Sequence, residues 1–108
     1  MAAGIVELSP GNFNKEVKEA AGLVVVDFWG EGCPPCRAIA PLLEELAGKS
    51  EGKYKIAKIN IQENMELAGQ FNIRAVPTLI FFKGGQVKDV IVGLTSKKDL
   101  ESRIAALS

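Results

Sequence analysis

The chain contains no histidine and only two cysteines among its 108 residues. Without histidine it cannot form the Cys–His or Ser–His pairs that activate many nucleophiles, nor any histidine-ligated metal centre. Two cysteines alone do not complete a tetrahedral zinc site, although two copies of the chain could share zinc or an iron–sulfur cluster. Because no other residues supply ligands, we expect neither a bound metal nor a bound cofactor.

Charge of one sign and long apolar segments are also missing. Thirteen basic residues balance thirteen acidic ones, so no net charge favours nucleic acid or an anionic membrane as a partner. Apolar runs such as Leu23–Val26 are far shorter than the roughly 20 residues that span a bilayer. The first residues lack the basic region and apolar stretch of a signal peptide, so we expect a cytoplasmic protein, in a compartment where structural disulfides are rare.

The spacing of apolar and turn-forming residues predicts one domain over residues 1–108, in the order βαβαβαββα. This order indicates an α/β fold in which helices cover both faces of a mixed sheet of about five strands. Strands are predicted at 5–8, 23–29, 54–61, 78–82 and 87–92, and about four helices at 12–22, from Pro34 or Pro35 to 46, at 64–71 and at 96–107.

Local signals support these elements. The segment Leu23–Trp29 is apolar on both faces, as in a central strand covered by helices. Gly84 and Gly85 separate two apolar segments and predict a hairpin. Asn12 is a candidate N-cap of the first helix, and Ser96, followed three residues later by an acidic residue, predicts a capped last helix.

The motif Cys33-Pro34-Pro35-Cys36 lies where the central strand passes into a helix. Residues three apart on a helix have Cβ atoms roughly 5–6 Å apart, close to the roughly 3.5–4.5 Å of a disulfide. The two cysteines can therefore alternate between dithiol and disulfide with little backbone movement. The helix dipole and unpaired amides stabilise a thiolate at Cys33, so Cys33 is the expected nucleophile and Cys36, one turn deeper, the resolving thiol.

A structural role for the cysteines is the alternative interpretation. A disulfide that closes so short a ring stabilises a fold by only about 2 kcal/mol, less than one that joins distant segments. Two inert buried thiols are a second alternative, but prolines and glycines around the motif are typical of a surface turn. Redox chemistry is therefore the favoured interpretation.

The sequence resembles the thioredoxin family over essentially its whole length. The resemblance is carried by four features in order, namely Asp27-Phe28-Trp29, the Cys-x-Pro-Cys motif, Val76-Pro77-Thr78 and Gly93.

The resemblance implies the thioredoxin fold and a cis peptide before Pro77 that faces the cysteines. Two positions depart from the family pattern. Gly32 stands where members usually have tryptophan, and this removes an aromatic contact surface for partners. Pro34 stands where they usually have glycine; it has no N–H to offer a thiolate but makes the turn rigid. Because the sequence does not show which of these two effects of Pro34 is larger, we predict no direction for a change in redox potential.

A carboxyl group is expected close to the motif. Asp27 lies on the same strand face as Leu23 and Trp29, so its carboxyl should be buried, with a raised pKa. The resemblance implies that Asp27 is the general base for Cys36, and that Lys58 on a neighbouring strand tunes its charge. From the residues alone, Asp27 could instead reach solvent at the strand end, and Lys58 could be an exposed strand lysine.

Other site residues follow from the resemblance. It implies that Trp29 shields the motif, although a plain core tryptophan is the alternative, and that Pro35 and Pro77 support the site. It also implies that an extended substrate segment contacts Gly32, Pro34, Val76, Thr78 and Gly93.

These observations predict a thiol–disulfide oxidoreductase that reduces disulfides in target proteins by dithiol–disulfide exchange. We expect a monomer that is re-reduced by a thioredoxin reductase, linked to either NADPH or ferredoxin. One alternative is an oxidase or isomerase of the same fold, which its redox potential would distinguish. Another is a non-catalytic interaction module, whose activity would survive Cys33→Ser.

Overall fold

The computed structural model describes residues 4–108, which form a mixed β-sheet with helices on both faces. The strands are β1 (Ile5–Glu7), β2 (Leu23–Trp29), β3 (Tyr54–Asn60), β4 (Thr78–Lys83) and β5 (Gln86–Val92). The helices are α1 (Pro34–Gly48), α2 (Met65–Gln70) and α3 (Lys97–Leu107), preceded by a π-helical turn at Asn14–Lys18. This architecture confirms the predicted α/β fold.

The sheet has the strand order β1-β3-β2-β4-β5. Strands β1, β3 and β2 are parallel, while β4 is antiparallel to β2 and β5 is antiparallel to β4. The central position of β2 explains why its sequence is apolar on both faces: residues Leu23–Phe28 are each at most 5% exposed. Since side chains alternate along a strand, Asp27 and Trp29 point to the same side as Leu23, toward α1 and α3.

Two apolar layers enclose the sheet. On one face, α1 and α3 contribute the buried residues Ile39, Leu43, Leu46, Leu100 and Ile104. On the other face, the π-helical turn and α2 contribute buried residues that include Val17 and Leu67.

The hairpin between β4 and β5 has the predicted turn. Gly84 and Gly85 both have positive φ, +62° and +79°. A two-residue hairpin turn of this kind needs positive φ at both positions, and glycine adopts it without steric cost. The position of the turn was therefore predicted correctly from the two glycines.

The first predicted helix is wrong in length, type and cap. The segment forms only the five-residue π-helical turn Asn14–Lys18. Asn12 does not cap it, because its side chain bonds to the preceding loop: Oδ1 accepts from the Ser9 N–H at 2.8 Å, and Nδ2 donates to the Glu7 carbonyl at 3.0 Å. The buried side chain of Val17 still packs the turn against the sheet.

The other helix ends match the predictions closely. Helix α1 begins at Pro34, the first of the two predicted starts, and α3 begins after Ser96, whose Oγ accepts from the Asp99 N–H at 3.0 Å. Within residues 4–108, no helix is both long enough and apolar enough to cross a membrane.

Candidate active site

The two cysteines lie at the N-terminus of α1, just beyond the carboxyl end of β2. Cys33 is the N-cap residue, and its Sγ accepts a hydrogen bond from the Cys36 N–H at 3.2 Å. Pro34 occupies the first helical position, where its missing N–H costs no helical bond. Gly32, with φ of +71°, provides the sharp turn that leads into the motif.

The structure joins Cys33 and Cys36 in a disulfide, with Cα atoms 5.3 Å apart. The two cysteine residues differ in their access to solvent: Cys33 is half-buried, whereas Cys36 is only 5% exposed. A partner approaching from outside therefore meets Cys33 first.

A second segment, before β4, faces the motif. The Val76–Pro77 peptide is cis, as the family resemblance implies. The carbonyl oxygen of Val76 lies 3.8 Å from Cys33 Sγ. Gly93, after β5, donates its N–H to the Pro77 carbonyl at 2.8 Å, so three separate segments of the chain meet beside the disulfide.

The expected substrate contacts differ in their exposure. Gly32 and Pro34 are exposed, and Val76 and Gly93 are partly exposed. Thr78 is only 4% exposed, and its hydroxyl donates to the Ala75 carbonyl at 2.7 Å. The Thr78 side chain is therefore turned inward and stabilises the loop.

A buried carboxyl group lies on β2 behind the motif. Asp27 is 5% exposed, and its Oδ1 has no hydrogen-bond partner among residues 4–108. Burial raises the pKa of this carboxyl to about 7, while the Lys58 ammonium lowers it and so limits the rise. Lys58 is the residue directly opposite Asp27 in the β2–β3 pairing, which places it where the resemblance implied.

Trp29 and Lys58 cover the approach to Asp27. The Lys58 Nζ lies 5.8 Å from the centroid of the Trp29 ring, within the range of a cation–π interaction. The buried Trp29 Nε1 has no hydrogen-bond partner in the described part of the chain. A cavity of about 440 Å³ is lined by these two residues together with Asp27, Cys36 and Arg37. Asp27 and the buried Cys36 thus line one cavity.

Residues after β3 connect to the motif, although no sequence pattern marks them as part of the site. Gln62 Oε1 accepts from the Glu31 N–H at 2.7 Å, which links the end of β3 to the loop before Cys33. The only signal for this contact is the adjacency of β3 and β2 in the sheet. In residues 4–108 no group of three or more cysteine, aspartate and glutamate side chains is arranged to hold a metal ion.

Comparisons with known proteins agree with this geometry. A family model described as Thioredoxin matches residues 4–106. The chain is 42% identical over 98 residues to "Thioredoxin 1" of Nostoc sp., covering 91% of this chain and 92% of that protein. It is 41% identical over 106 residues to a thioredoxin of Pseudomonas aeruginosa, covering 98% of each, and 40% identical over 104 residues to "Thioredoxin 2" of Chlorobaculum tepidum, covering 96% and 95%.

Proposed function

The chain belongs to the thioredoxin family and is a protein-disulfide reductase, and on this premise we propose that Cys33 is its nucleophile and Cys36 its resolving thiol. The observation that carries the assignment is the position of Cys33. Its sulfur lies at the N-terminus of α1 and accepts the Cys36 N–H at 3.2 Å, and the residue is more exposed than Cys36. A helix N-terminus and an amide donor both stabilise a thiolate.

The proposed reaction has two exchange steps. The Cys33 thiolate attacks one sulfur of the target disulfide, so that a Cys33–target bond forms, the target disulfide breaks, and the released target thiolate takes a proton from solvent. The Cys36 thiolate then attacks Cys33 Sγ and displaces the second target sulfur, which is also protonated. Two electrons pass to the target, and the protein is left with the Cys33–Cys36 disulfide that the structure contains.

Asp27 is the proposed base for the second step. Cys36 must lose its proton before it can attack, and a base works best when its pKa lies near the working pH. Asp27 has a pKa of about 7 and lines the same cavity as Cys36. Lys58 holds that pKa below the value that burial alone would give, and Trp29 shields the cavity.

An extended target segment is proposed to lie across the surface formed by Gly32, Pro34, Val76 and Gly93. Pro35 and Pro77 support this surface from the motif and the facing loop. The Val76 carbonyl lies 3.8 Å from Cys33 Sγ, and the N–H of Gly93 holds Gly93 against the neighbouring Pro77 carbonyl. A strand-like peptide can add its own main-chain bonds to an exposed backbone edge of this kind.

As a family member, the protein acts on disulfide-containing targets and receives electrons from a reductase. We further propose that it works in the cytoplasm as a monomeric single domain over residues 1–108. Either an NADPH-linked or a ferredoxin-linked reductase would deliver electrons by the same dithiol exchange.

Trapping of the reaction intermediate tests the assignment of the two cysteines. Reduced Cys36→Ser should accumulate a mixed disulfide with a disulfide-containing protein, seen by non-reducing electrophoresis and mapped to Cys33 by mass spectrometry. Cys33→Ser should form none and lose disulfide reduction on the order of a thousand-fold or more. Disulfide reduction that survives in Cys33→Ser would overturn the assignment and make Cys36 the nucleophile.

A further inference from the structure

The loop that connects β2 to the motif, residues 30–32, has few attachments to the rest of the protein. Gly32 contributes no side chain, and a Cβ built there would meet no atom within 4 Å. The Glu31 side chain is exposed and forms no ion pair within residues 4–108. In the described part of the chain, the hydrogen bonds to the backbone of residues 30–32 all come from one residue, Gln62.

Gln62 binds this loop through both ends of its amide group. Its Oε1 accepts from the Glu31 N–H at 2.7 Å, and its Nε2 donates to the Glu31 carbonyl at 3.5 Å. The same amide lies over the buried Gly30, where an added Cβ would come within 3.7 Å of Oε1 and 3.8 Å of Cδ. These distances are ordinary van der Waals contacts, so the backbone at Gly30 and the Gln62 amide lie directly against each other.

The backbone of Gln62 is itself held in place by the turn after β3. Its N–H donates to the Oδ1 of Asn60 at 2.8 Å, and Asn60 is only 6% exposed. Asn64 donates its Nδ2 to the Asn60 carbonyl at 2.9 Å, and the Ile61 N–H donates to the Trp29 carbonyl at 2.9 Å. The Gln62 amide thus projects from a fixed turn, as a positioning group must.

We propose that Gln62 is a positioning residue for disulfide exchange: by holding Glu31 it fixes the loop that delivers Cys33 to the N-cap of α1. Cys33 follows Glu31 by two residues, and its Sγ must stay in line with the Cys36 N–H. Loss of the Gln62 bonds lets the loop move and reduces the fraction of time for which this alignment is kept. The inference rests on the proposed role of Cys33 as nucleophile.

Gln62→Met isolates the hydrogen bonds, because methionine keeps the length and bulk of the side chain over Gly30 and lacks the amide. We expect single-turnover reduction of a disulfide-containing peptide by the fully reduced protein to slow by about 3- to 10-fold, the loss expected from one or two hydrogen bonds. The pH at which half of the maximal rate of Cys33 alkylation by iodoacetamide is reached should rise. The thermal unfolding midpoint should stay unchanged.

Two further variants complete the test. Glu63→Met alters the next residue of the same turn, whose side chain has no hydrogen bond or ion pair within residues 4–108, and it should leave the exchange rate and the alkylation profile unchanged. Gln62→Glu keeps the acceptor for the Glu31 N–H, so it should recover at least half of the wild-type rate in about 0.5 M salt, where the added charge is screened.

The inference is overturned by a wild-type exchange rate and alkylation profile in Gln62→Met, and equally by a slower rate that follows only from a lower unfolding temperature. Its failure differs from failure of the proposed function. If Cys33→Ser keeps full activity, the assignment of the nucleophile is wrong; if Cys33→Ser is inactive while Gln62→Met is normal, only the positioning role is wrong.

Discussion

The two halves of β2 are both largely buried but differ in the polarity of their side chains. In the amino half, Leu23–Val26 are all apolar and at most 1% exposed. In the carboxyl half, Asp27 and Trp29 carry a carboxyl oxygen and an indole N–H that have no hydrogen-bond partner among residues 4–108. Burying an apolar side chain stabilises the fold, whereas burying an unpaired polar group destabilises it.

This contrast shows that the carboxyl half of β2 lowers the stability of the fold. The carboxyl half leads directly into the loop before Cys33, and its unpaired groups face the cavity shared with Cys36. The amino half, packed between β3 and β4, supplies the stability that permits a buried carboxyl at the other end. One strand thus combines a structural half with a half that supports the chemistry.

Asp27→Asn should give the largest effects: it should make the fold more stable and the resolving step slower. The Asp27 pKa is about 7 in the folded protein, against an ordinary value of 3.8. Between these pH values the folded protein binds a proton that the unfolded chain does not, so its stability falls as pH rises toward 7 and then stays low. The substitution should therefore raise the free energy of unfolding above about pH 7 by up to about 4 kcal/mol, with little difference below about pH 4.

The same variant should slow the resolving step by roughly 100-fold, because it removes the base that deprotonates Cys36. Denaturant titrations at several pH values measure the first effect, and the decay of the mixed disulfide measures the second. Parallel pH–stability curves for Asp27→Asn and wild type would contradict the assignment of a raised pKa to Asp27.

Leu23→Ala tests the other half of the strand and should have the next largest effect. Leu23 is 1% exposed, and deleting a fully buried leucine side chain typically costs about 3 kcal/mol. The exchange rate of the folded protein should stay within about twofold of wild type, because the change lies far along β2 from the cysteines. Chemical denaturation and single-turnover kinetics check these two expectations.

Met65→Ala is the matched control for Leu23→Ala, since Met65 is 76% exposed and its loss should change stability by no more than about 0.5 kcal/mol. An exchange defect in Leu23→Ala as large as that of Asp27→Asn would remove the distinction between the two halves.

Lys58→Met should have the smallest effect. The Lys58 ammonium lowers the pKa of Asp27, so its loss should move the pH midpoint of the resolving step upward. The shift should be smaller than that produced by burial, which is the larger influence on this carboxyl. The control Lys88→Met, an exposed change on β5, should leave the pH midpoint unchanged. An unchanged midpoint in Lys58→Met as well would contradict an influence of Lys58 on the pKa of Asp27.

Elements with a strong local signal could be predicted from the sequence. Both ends of β2 match the prediction, because an apolar run bounded by glycines has few alternative structures. The hairpin turn could be predicted from Gly84 and Gly85. Strand alternation favoured burial of Asp27, while the residues alone left open a carboxyl group that reaches solvent at the strand end; the structure buries it.

Features that depend on competing or distant partners could not be predicted. Asn12 has the residue type of an N-cap, but the Ser9 N–H and the Glu7 carbonyl compete for its side chain. The bond from Glu31 to Gln62 joins residues 31 apart, and only the placement of β3 beside β2 brings them together. The inward orientation of Thr78 depends on a loop carbonyl in the same way.

The equilibrium redox potential of the Cys33–Cys36 couple tests the central claim most directly. Titration against a glutathione or dithiothreitol buffer can be followed by the fluorescence of Trp29, the single tryptophan of the chain. A protein-disulfide reductase should have a potential near −270 mV, the value typical of thioredoxins and below the glutathione couple of the cytosol as measured by extraction. A potential of about −180 to −120 mV would contradict the account, because a couple in that range oxidises dithiols or isomerises disulfides in target proteins.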